Sequence, residues 1–166
     1  IVGSAGFIGK ALMRKISQTG RSAYSLYHAH IPEPLNHITP VFADLLRPDQ
    51  LDTYVKQADE IIYLAWSNTL KNNKNAVSPT NDSPNIIMLR NLVAAMEEQG
   101  NRRLIFVSSL GASRYAKSYY LKEKYVAESV VLNSNIPEKL ILRSSLIYSD
   151  LSAKDKFVQS IESLMT

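Results

Sequence analysis

The most constraining feature of the sequence is a glycine-rich turn, GSAGFIG, at positions 3–9. It follows the apolar pair Ile1-Val2 and precedes a helical pattern over 10–20. In the spacing GxxGxxG, the first glycine permits a tight turn, the second lets the backbone approach a phosphate, and the third lets the helix pack closely on the strand. The positive end of that helix favours an anion. The turn therefore predicts a site for a dinucleotide pyrophosphate.

A second phosphate-binding motif is excluded by the same residues. A Walker A loop reads GxxxxGK followed by Ser or Thr, and Gly9-Lys10 resembles its end. However, Ser4 occupies the position of the first glycine, and Ala11 replaces the hydroxyl that would hold magnesium. The alternative that stays open is a glycine turn that binds no ligand.

Composition narrows the classes of function. The 166 residues suffice for one domain (1–166), and the hydrophobic share of 45% and charged share of 20% are typical of a globular protein. Scattered basic residues give a net charge of +4, which indicates solvated faces and no nucleic-acid surface. With no cysteine and three histidines, no metal site is expected. Because no stretch resembles a membrane span or a leader, we expect a cytoplasmic protein.

Strand and helix patterns alternate along the chain. Strands are predicted at 23–28, 41–43, 60–66, 104–107 and 140–142, after a first strand of which Ile1-Val2 remains. Helices are predicted at 10–20, from Pro48, at 85–99, at 119–133 and around Phe157, Ile161 and Leu164. The inward face of the helix at 85–99 is predicted to carry Leu89, Leu92, Val93 and Met96. Loops are predicted around Pro32, Pro34 and Pro40, and over 67–84. This order predicts an α/β fold, a Rossmann-like doubly wound parallel sheet, with ligands at the carboxyl ends of the strands.

A second motif follows the fifth strand. Ser108-Ser109 is followed by Tyr120 and Lys124, which share one helix face at i and i+4. A nearby ammonium and an oxidised nicotinamide both favour the phenolate, so we expect a lowered pKa for Tyr120. Tyr120 could then exchange a proton with a substrate hydroxyl or carbonyl. The alternative is a surface tyrosine packed along a lysine stem.

These motifs together resemble the short-chain dehydrogenase/reductase superfamily. They are GSAGFIG at 3–9, Asp44, IYLA at 62–65, Ser108-Ser109 and Tyr120 with Lys124. The glycine spacing is similar to the extended and atypical branches, which include NAD-dependent epimerase/dehydratase proteins. The segments VSSLGAS at 107–113, with Glu128, and LRSSLIY at 142–148 are similar to an atypical group that includes the nucleotide-binding accessory subunit of respiratory complex I. The resemblance spans Ile1 to about Tyr148.

The resemblance implies roles for particular residues. The pyrophosphate would be held by Gly3, Gly6, Phe7, Ile8 and Gly9. Asp44 and Leu45 would contact the adenine, and Ala65 and Trp66 would line the path of the cofactor. Tyr120 and Lys124 would be the catalytic pair. Lys124 would also donate to the nicotinamide ribose, and Ser109 would orient the substrate oxygen. As alternatives, Asp44 caps a turn and Trp66 fills core space.

Three departures from the family pattern bear on function. Leu110 occupies the usual position of the active Ser or Thr, so Ser109 or Ser113 would have to substitute. Ser144 and Ser149 replace a usual proline and glycine near the nicotinamide. Relatives continue into a substrate-binding subdomain, so we expect this chain to be a fragment that largely lacks that part.

The end of the second predicted strand bears on the choice between NAD and NADP. An acidic side chain there favours NAD, and a basic one favours NADP. The segment here reads LYHAH at 26–30, without a carboxylate, and His28 falls where atypical relatives often carry an arginine. This favours NADP slightly over NAD. The alternative is that His28 and His30 are ordinary loop residues.

The leading hypothesis is an NAD(P)-dependent oxidoreductase or epimerase/dehydratase that acts on a carbonyl or secondary alcohol, including the case of a nucleotide sugar. Its partner would be a small-molecule substrate, with no nucleic acid and no membrane. A second hypothesis is a non-catalytic NAD(P)-binding regulator or assembly subunit, favoured by Leu110. A plain interaction domain without nucleotide is the third. The helix from Tyr119 often forms a dimer face in similar proteins, which raises a homodimer as a hypothesis.

Overall fold

Five parallel strands form the framework of the protein, for which a computed structural model describes residues 1–67, 83–145 and 147. The strands are β1 (Ala23–Tyr27), β2 (Ile38–Phe42), β3 (Glu60–Tyr63), β4 (Arg103–Ser109) and β5 (Glu138–Ser144). The helices are α1 (Phe7–Gln18), α2 (Asp52–Lys56), α3 (Pro84–Gln99) and α4 (Tyr119–Leu132), with a 3₁₀ turn at Pro48–Gln50.

Val2 joins the two halves of the sheet. It forms parallel bridges to Leu26 of β1 and to Tyr63 of β3. Its amide donates to the Ile62 carbonyl at 2.9 Å, and its carbonyl accepts from the Leu64 amide at 2.8 Å. The resulting order is β2-β1-Val2-β3-β4-β5, all parallel. When Val2 is counted as the first strand, this is the 3-2-1-4-5-6 order of a doubly wound sheet, so the predicted Rossmann-like fold is confirmed.

The two faces of the sheet differ in burial. On one face, Tyr63, Leu104 and Phe106 are fully buried in a core shared with α3. The inward residues that the sequence predicted for α3, namely Leu89, Leu92, Val93 and Met96, are all buried there. On the other face, Leu140 and Leu142 are about half exposed. In β3 the same difference appears, since Ile61 and Tyr63 are buried and Ile62 is partly exposed.

The ends of the elements follow local chemistry. α1 begins at Phe7, three residues before the predicted start, because the glycine turn itself supplies the N-cap, Gly6. Gly20 and Gly100 follow α1 and α3 in the left-handed conformation, with φ of 72° and 71°. The helix predicted from Pro48 divides into a 3₁₀ turn and a short α2.

Pro40 lies inside β2, so its prediction as a loop residue was wrong. It pairs with Ser25 of β1, and β2 is hydrogen-bonded to β1 alone. A proline lacks the N–H of the ladder, but an edge strand has one side that needs no partner. The sheet therefore accepts Pro40 at this edge.

Two predicted elements fall largely outside the described residues. The polar loop over 67–84 is described only at Ser67 and from Ser83 onward, and the last predicted helix, with Phe157, Ile161 and Leu164, lies wholly outside. Within the described ranges, no helix combines the length and the apolar character that a membrane crossing requires.

Candidate functional site

The glycine turn packs directly against the end of β3. Gly3 has a φ of 85°, and a Cβ added to it would lie 2.7 Å from the Ala65 Cα. A Cβ added to Gly9 would lie 2.6 Å from the Ser4 Cα. Both distances are shorter than real Cβ contacts, and both partners are main chain, which cannot move aside. Only glycine fits these two positions.

The start of α1 is open to an anion. Gly6 is its N-cap and is exposed, and neither a capping side chain nor an acidic residue occupies its first turn. The first N–H groups of a helix have no partner inside the helix, and the helix dipole makes this end positive. Phe7 is half exposed beside these groups. An exposed, positive helix end of this kind can bind an anion, and its use for a pyrophosphate stays a prediction.

A buried pair of serines anchors this turn, and sequence reasoning missed it. The Ser4 hydroxyl donates to the Leu26 carbonyl at 3.0 Å, and the Ser25 hydroxyl donates to Ser4 Oγ at 2.7 Å. Both serines are fully buried. The signal in the sequence was a polar residue inside the predicted second strand, which a buried partner has to satisfy.

Tyr120 and Lys124 open onto a cleft of about 590 Å³ at the carboxyl ends of β3, β4 and β5. Its lining includes Ile8, Trp66, Ser109, Tyr120, Lys124 and Ser144. The helix α4 presents Tyr120 and Lys124 on one face, as the i, i+4 spacing predicted. The predicted catalytic residues and one residue of the glycine turn therefore meet in one cleft.

Lys124 is a buried ammonium. Only 5% of the residue is exposed to solvent. Nζ donates a hydrogen bond to the Val107 carbonyl at 2.9 Å. Nζ also lies 3.7 Å from the centroid of the Trp66 ring and 4.9 Å from that of Phe106. Burial lowers the pKa of Lys124 to about 7, against the opposing charges of Glu123 and Glu128.

The pKa of Tyr120 is shifted in the direction opposite to the predicted lowering. Burial raises the pKa of the Tyr120 hydroxyl above its usual range, and a hydrogen bond with the Ser109 side chain acts in the opposite direction. Lys124 Nζ lies 5.9 Å from the centroid of the Tyr120 ring, beyond direct contact. Desolvation therefore outweighs the effect of the Ser109 side chain on the pKa of Tyr120.

Glu128 explains which serine reaches Tyr120. The carboxylate of Glu128 is buried and accepts from the Ser108 hydroxyl at 2.5 Å. It also accepts two bonds from the Arg143 guanidinium of β5, at 2.9 and 2.6 Å. Ser108 is thus committed to this clamp, whereas Ser109, the next residue, faces Tyr120. The clamp was not predicted, although Glu128 and Arg143 both stand in segments that carry the resemblance.

A second buried carboxylate holds the chain beyond Trp66. Asn85 Oδ1 accepts from the Ser67 amide at 2.7 Å, and Asn85 Nδ2 donates to the Ser67 carbonyl at 3.0 Å. The same Nδ2 donates to Glu123 Oε2 at 3.0 Å. Burial, together with the Glu123 charge, raises the pKa of Tyr63. These residues were missed, because the pairs are 18 and 38 residues apart in sequence.

At the predicted adenosine end of the site, His28 lies near a carboxylate, that of Asp44. Its Nε2 lies 3.8 Å from Oδ2 of Asp44, although the segment 26–30 has no acid of its own. Asp44 Oδ1 also accepts from the Leu46 amide at 2.9 Å, which is the turn-capping alternative. Leu45 is buried, and its carbonyl accepts from Asn91. The roles of Asp44 and Leu45 at an adenine stay predictions.

Two of the residues that depart from the family pattern, Leu110 and Ser144, lie within the described part of the chain. Leu110, in the place of the usual hydroxyl residue, is 65% exposed. The Ser113 hydroxyl accepts from the Tyr115 amide, and Ser113 is not among the cleft residues. The Ser144 hydroxyl donates to the Ser108 carbonyl at 3.1 Å on the cleft wall. Ser149 lies outside the described residues. Among the described residues, no cluster of three or more His, Cys, Asp or Glu side chains could hold a metal ion.

Residues 1–137 match the family model of the NAD dependent epimerase/dehydratase family. The chain belongs to this family. The match covers the glycine turn, the two serines that end β4, and Tyr120, Lys124 and Glu128, so the resemblance to the short-chain dehydrogenase/reductase superfamily is confirmed.

A curated relative from Arabidopsis thaliana is 28% identical over 151 residues. It is NADH dehydrogenase (ubiquinone) 1 alpha subcomplex subunit 9, mitochondrial, and the match covers 86% of this chain and 36% of the relative. The chain thus spans about a third of that relative's length.

Solved structures with the same fold include a mutated uronate dehydrogenase, with a TM-score of 0.66 at 20% identity over 84% of this chain and 55% of that one. A short-chain dehydrogenase/reductase from Veillonella parvula in complex with NADP has a TM-score of 0.65 at 19% identity, over 90% and 69%. The Bordetella bronchiseptica enzyme WbmG, in complex with NAD and UDP, has a TM-score of 0.68 at 15% identity, over 86% and 51%. At these identities, the likeness concerns the fold.

Proposed function

We propose that the chain is the cofactor-binding part of an NAD(P)-dependent oxidoreductase or epimerase/dehydratase that acts on a carbonyl or secondary alcohol. A nucleotide sugar is the substrate class within that range that we favour, since the structural neighbour WbmG carries UDP beside NAD. The observation that carries the proposal is that Ser109, Tyr120 and the buried Lys124 line one cleft. Mere nucleotide binding does not need a proton-exchanging tyrosine in this cleft.

The proposed roles follow from the contacts of each side chain. Tyr120 exchanges the proton of the substrate oxygen, since its hydroxyl faces the cleft. Ser109 orients that oxygen through the hydroxyl that already meets Tyr120. Lys124 stabilises the phenolate when Tyr120 gives up its proton and donates to a ribose hydroxyl. NAD or NADP, when bound, supplies the hydride donor or acceptor.

The proposed cofactor residues form a line along the carboxyl edge of the sheet. The pyrophosphate would be held by Gly3, Gly6, Phe7, Ile8 and Gly9. The adenine would contact Asp44 and Leu45, and the adenosine ribose would contact His28. Ala65 and Trp66 would line the path of the cofactor toward Lys124. A slight preference for NADP stays a prediction that rests on His28. Asp44, 3.8 Å from His28, would oppose it by repelling a 2′-phosphate.

Parallel calorimetric titrations with NADH and NADPH test the nucleotide site first. Binding of at least one supports it, and the ratio of the two dissociation constants measures the preference assigned to His28. Binding of neither would contradict the proposal and would turn attention to a protein partner.

Tyr120→Phe then tests the chemistry. With a substrate found by screening carbonyl compounds and sugar nucleotides, we expect kcat to fall by 10²- to 10⁴-fold, roughly the contribution of a positioned acid/base. Cofactor affinity should change little, because the ring is retained. Tyr119→Phe, the neighbouring tyrosine, which is absent from the cleft lining, is the matched control. Full turnover by Tyr120→Phe would overturn the role of Tyr120.

A second candidate is an NAD(P)-binding subunit of a larger assembly that has lost efficient chemistry. Two observations favour it: Leu110 replaces the usual hydroxyl, and burial raises the pKa of Tyr120. The curated relative is itself named as a subunit. Cofactor binding without turnover on any substrate of the panel would support this candidate. A homodimer through α4 and a cytoplasmic location are further predictions that native mass measurement and cell fractionation would test.

A further inference from the structure

Trp66 has contacts that the proposed acid/base chemistry does not require. The Lys124 ammonium lies 3.7 Å from the centroid of the indole ring, closer than it lies to the Phe106 or Tyr120 rings. The indole also meets the Tyr120 ring edge-on, with 6.2 Å between centroids. Trp66 therefore touches both members of the Tyr120–Lys124 pair.

The main chain next to Trp66 is held in place by the same helix that carries Lys124. Ser67 is bonded to Asn85 through both its amide and its carbonyl, and Asn85 is bonded to Glu123, the residue before Lys124. Glu123 and Asn85 are buried. The main chain next to Trp66 is thus tied by a short chain of hydrogen bonds to the helix that carries Lys124.

The ammonium has few other partners. Of its three N–H donors, one is used by the Val107 carbonyl. The neighbouring carboxylates are engaged elsewhere, since Glu123 accepts from Asn85 and Glu128 accepts from Ser108 and Arg143. In a site with little water, the face of a tryptophan ring is a strong partner for a cation. The indole therefore stabilises Lys124 in the protein without ligand.

We propose that Trp66 is a positioning residue that competes with the cofactor for the Lys124 ammonium. When Lys124 turns toward a ribose hydroxyl, it gives up part of its contact with the indole face, so Trp66 weakens cofactor binding. This inference rests on the proposed function. From the usual strength of desolvated cation–π contacts, we expect Trp66 to weaken the affinity on the order of ten-fold.

The test compares wild type with Trp66→Leu by calorimetric titration with oxidised NAD at about pH 6, where the ammonium is charged because its pKa is about 7. We expect Trp66→Leu to bind on the order of ten-fold more tightly. ADP serves as the matched ligand, because it has the adenosine and the two phosphates but lacks the second ribose. Its affinity should not change. Equal or weaker NAD binding by Trp66→Leu would overturn the inference.

Two variants separate the proposed competition from general effects. Tyr115→Leu removes another aromatic ring beside a cation, since the Arg114 guanidinium lies 4.5 Å from its centroid, at a 77% exposed position outside the cleft lining. It should leave NAD affinity unchanged. In a Lys124→Met background, Trp66→Leu should no longer tighten binding, because the contested ammonium is gone. Tightening that persists without Lys124 would contradict the inference.

If Trp66→Leu does not fold, the fluorescence of the wild type carries the test, because Trp66 is the only tryptophan of the chain. We expect oxidised NAD to move its emission toward that of ligand-free Lys124→Met, in which the ammonium is absent. A shift in the opposite direction, or none upon saturation, overturns the inference alone. Failure of the wild type to bind NAD or NADP at all would overturn the proposed function, and the inference with it.

Discussion

The glycine turn end of the candidate site is shaped by main-chain atoms, whereas the Lys124 end is shaped by buried side chains that carry charge. Gly3 and Gly9 matter because a Cβ at either would collide with backbone. Lys124, Glu123 and Glu128 matter because all three are buried ionisable groups held by other side chains or main chain. Lys124 donates to the Val107 carbonyl, Asn85 donates to Glu123, and Ser108 and Arg143 donate to Glu128.

The difference teaches how each end tolerates change. A backbone cradle is lost when atoms are added to it, since close packing leaves no room to adjust. A buried charge network is lost when one partner is removed, since the remaining charge then has no counterpart. The first should therefore fail by steric overlap at any pH, and the second should depend on pH.

Gly9→Ala should give the largest effect. Its Cβ would lie 2.6 Å from the Ser4 Cα and carbonyl oxygen, so α1 would have to move away from the turn. We expect a loss of about 5 kcal/mol in the free energy of unfolding, close to the whole stability of many domains. Chemical denaturation followed by circular dichroism measures it.

Gly6→Ala is the matched control for this overlap. Its Cβ would meet only the Gly3 carbonyl oxygen, at 3.3 Å. The free energy of unfolding should therefore fall by no more than about 1 kcal/mol. If both variants were equally stable, the cradle would be more adaptable than its packing indicates.

Lys124→Met tests the charged end through pH. The pKa of Lys124 is lowered to about 7 in the folded protein, from 10.5 in the unfolded chain. Between these values the unfolded state binds more protons, so the wild type gains stability as pH rises. Relative to Lys124→Met, it should gain up to about 4 kcal/mol between about pH 6 and pH 10.

Urea unfolding of both proteins across this range measures the difference. Lys117→Met, at an exposed position, is the control and should run parallel to the wild type. A difference between wild type and Lys124→Met that stays constant or falls with rising pH would show that Lys124 is not buried as an unfavourable charge.

Arg143→Met should have the smallest of the three effects. It removes two hydrogen bonds from the buried Glu128, but Arg143 itself is 45% exposed, so water can partly replace it. We expect a loss of about 2 kcal/mol at neutral pH.

Arg103→Met is the matched comparison, at the amino-terminal end of β4. Arg103 also bridges two carboxylates, those of Glu60 and Glu138, but all three groups are exposed to solvent. Little change in stability is expected there. If the two arginine variants were equally destabilised, burial of Glu128 would not be what gives the clamp its strength.

Much of the fold was predictable because its signals are local. The helical periodicity of α3 predicted its buried residues, and the i, i+4 spacing placed Tyr120 and Lys124 on one face of α4. Errors occurred where tertiary packing decides, as at Pro40, which the edge position of β2 accommodates.

The candidate site was predicted only in part, for the same reason. The glycine turn and the Tyr120–Lys124 pair are short motifs, whereas the direction of the Tyr120 pKa shift depends on desolvation that no spacing encodes. Asn85, Glu123 and Arg143 were missed because each acquires its role from a residue far along the chain.

The sequence by itself determined the strand–turn–helix at positions 1–18 and the pairing of Tyr120 with Lys124, because backbone sterics and helix periodicity act over a few residues. Only the tertiary structure decided that Ser109 faces Tyr120 while Ser108 joins Glu128, and that Trp66 covers Lys124. Those contacts join residues 11 to 58 positions apart, and folding of the sheet alone brings them within reach of short-range forces.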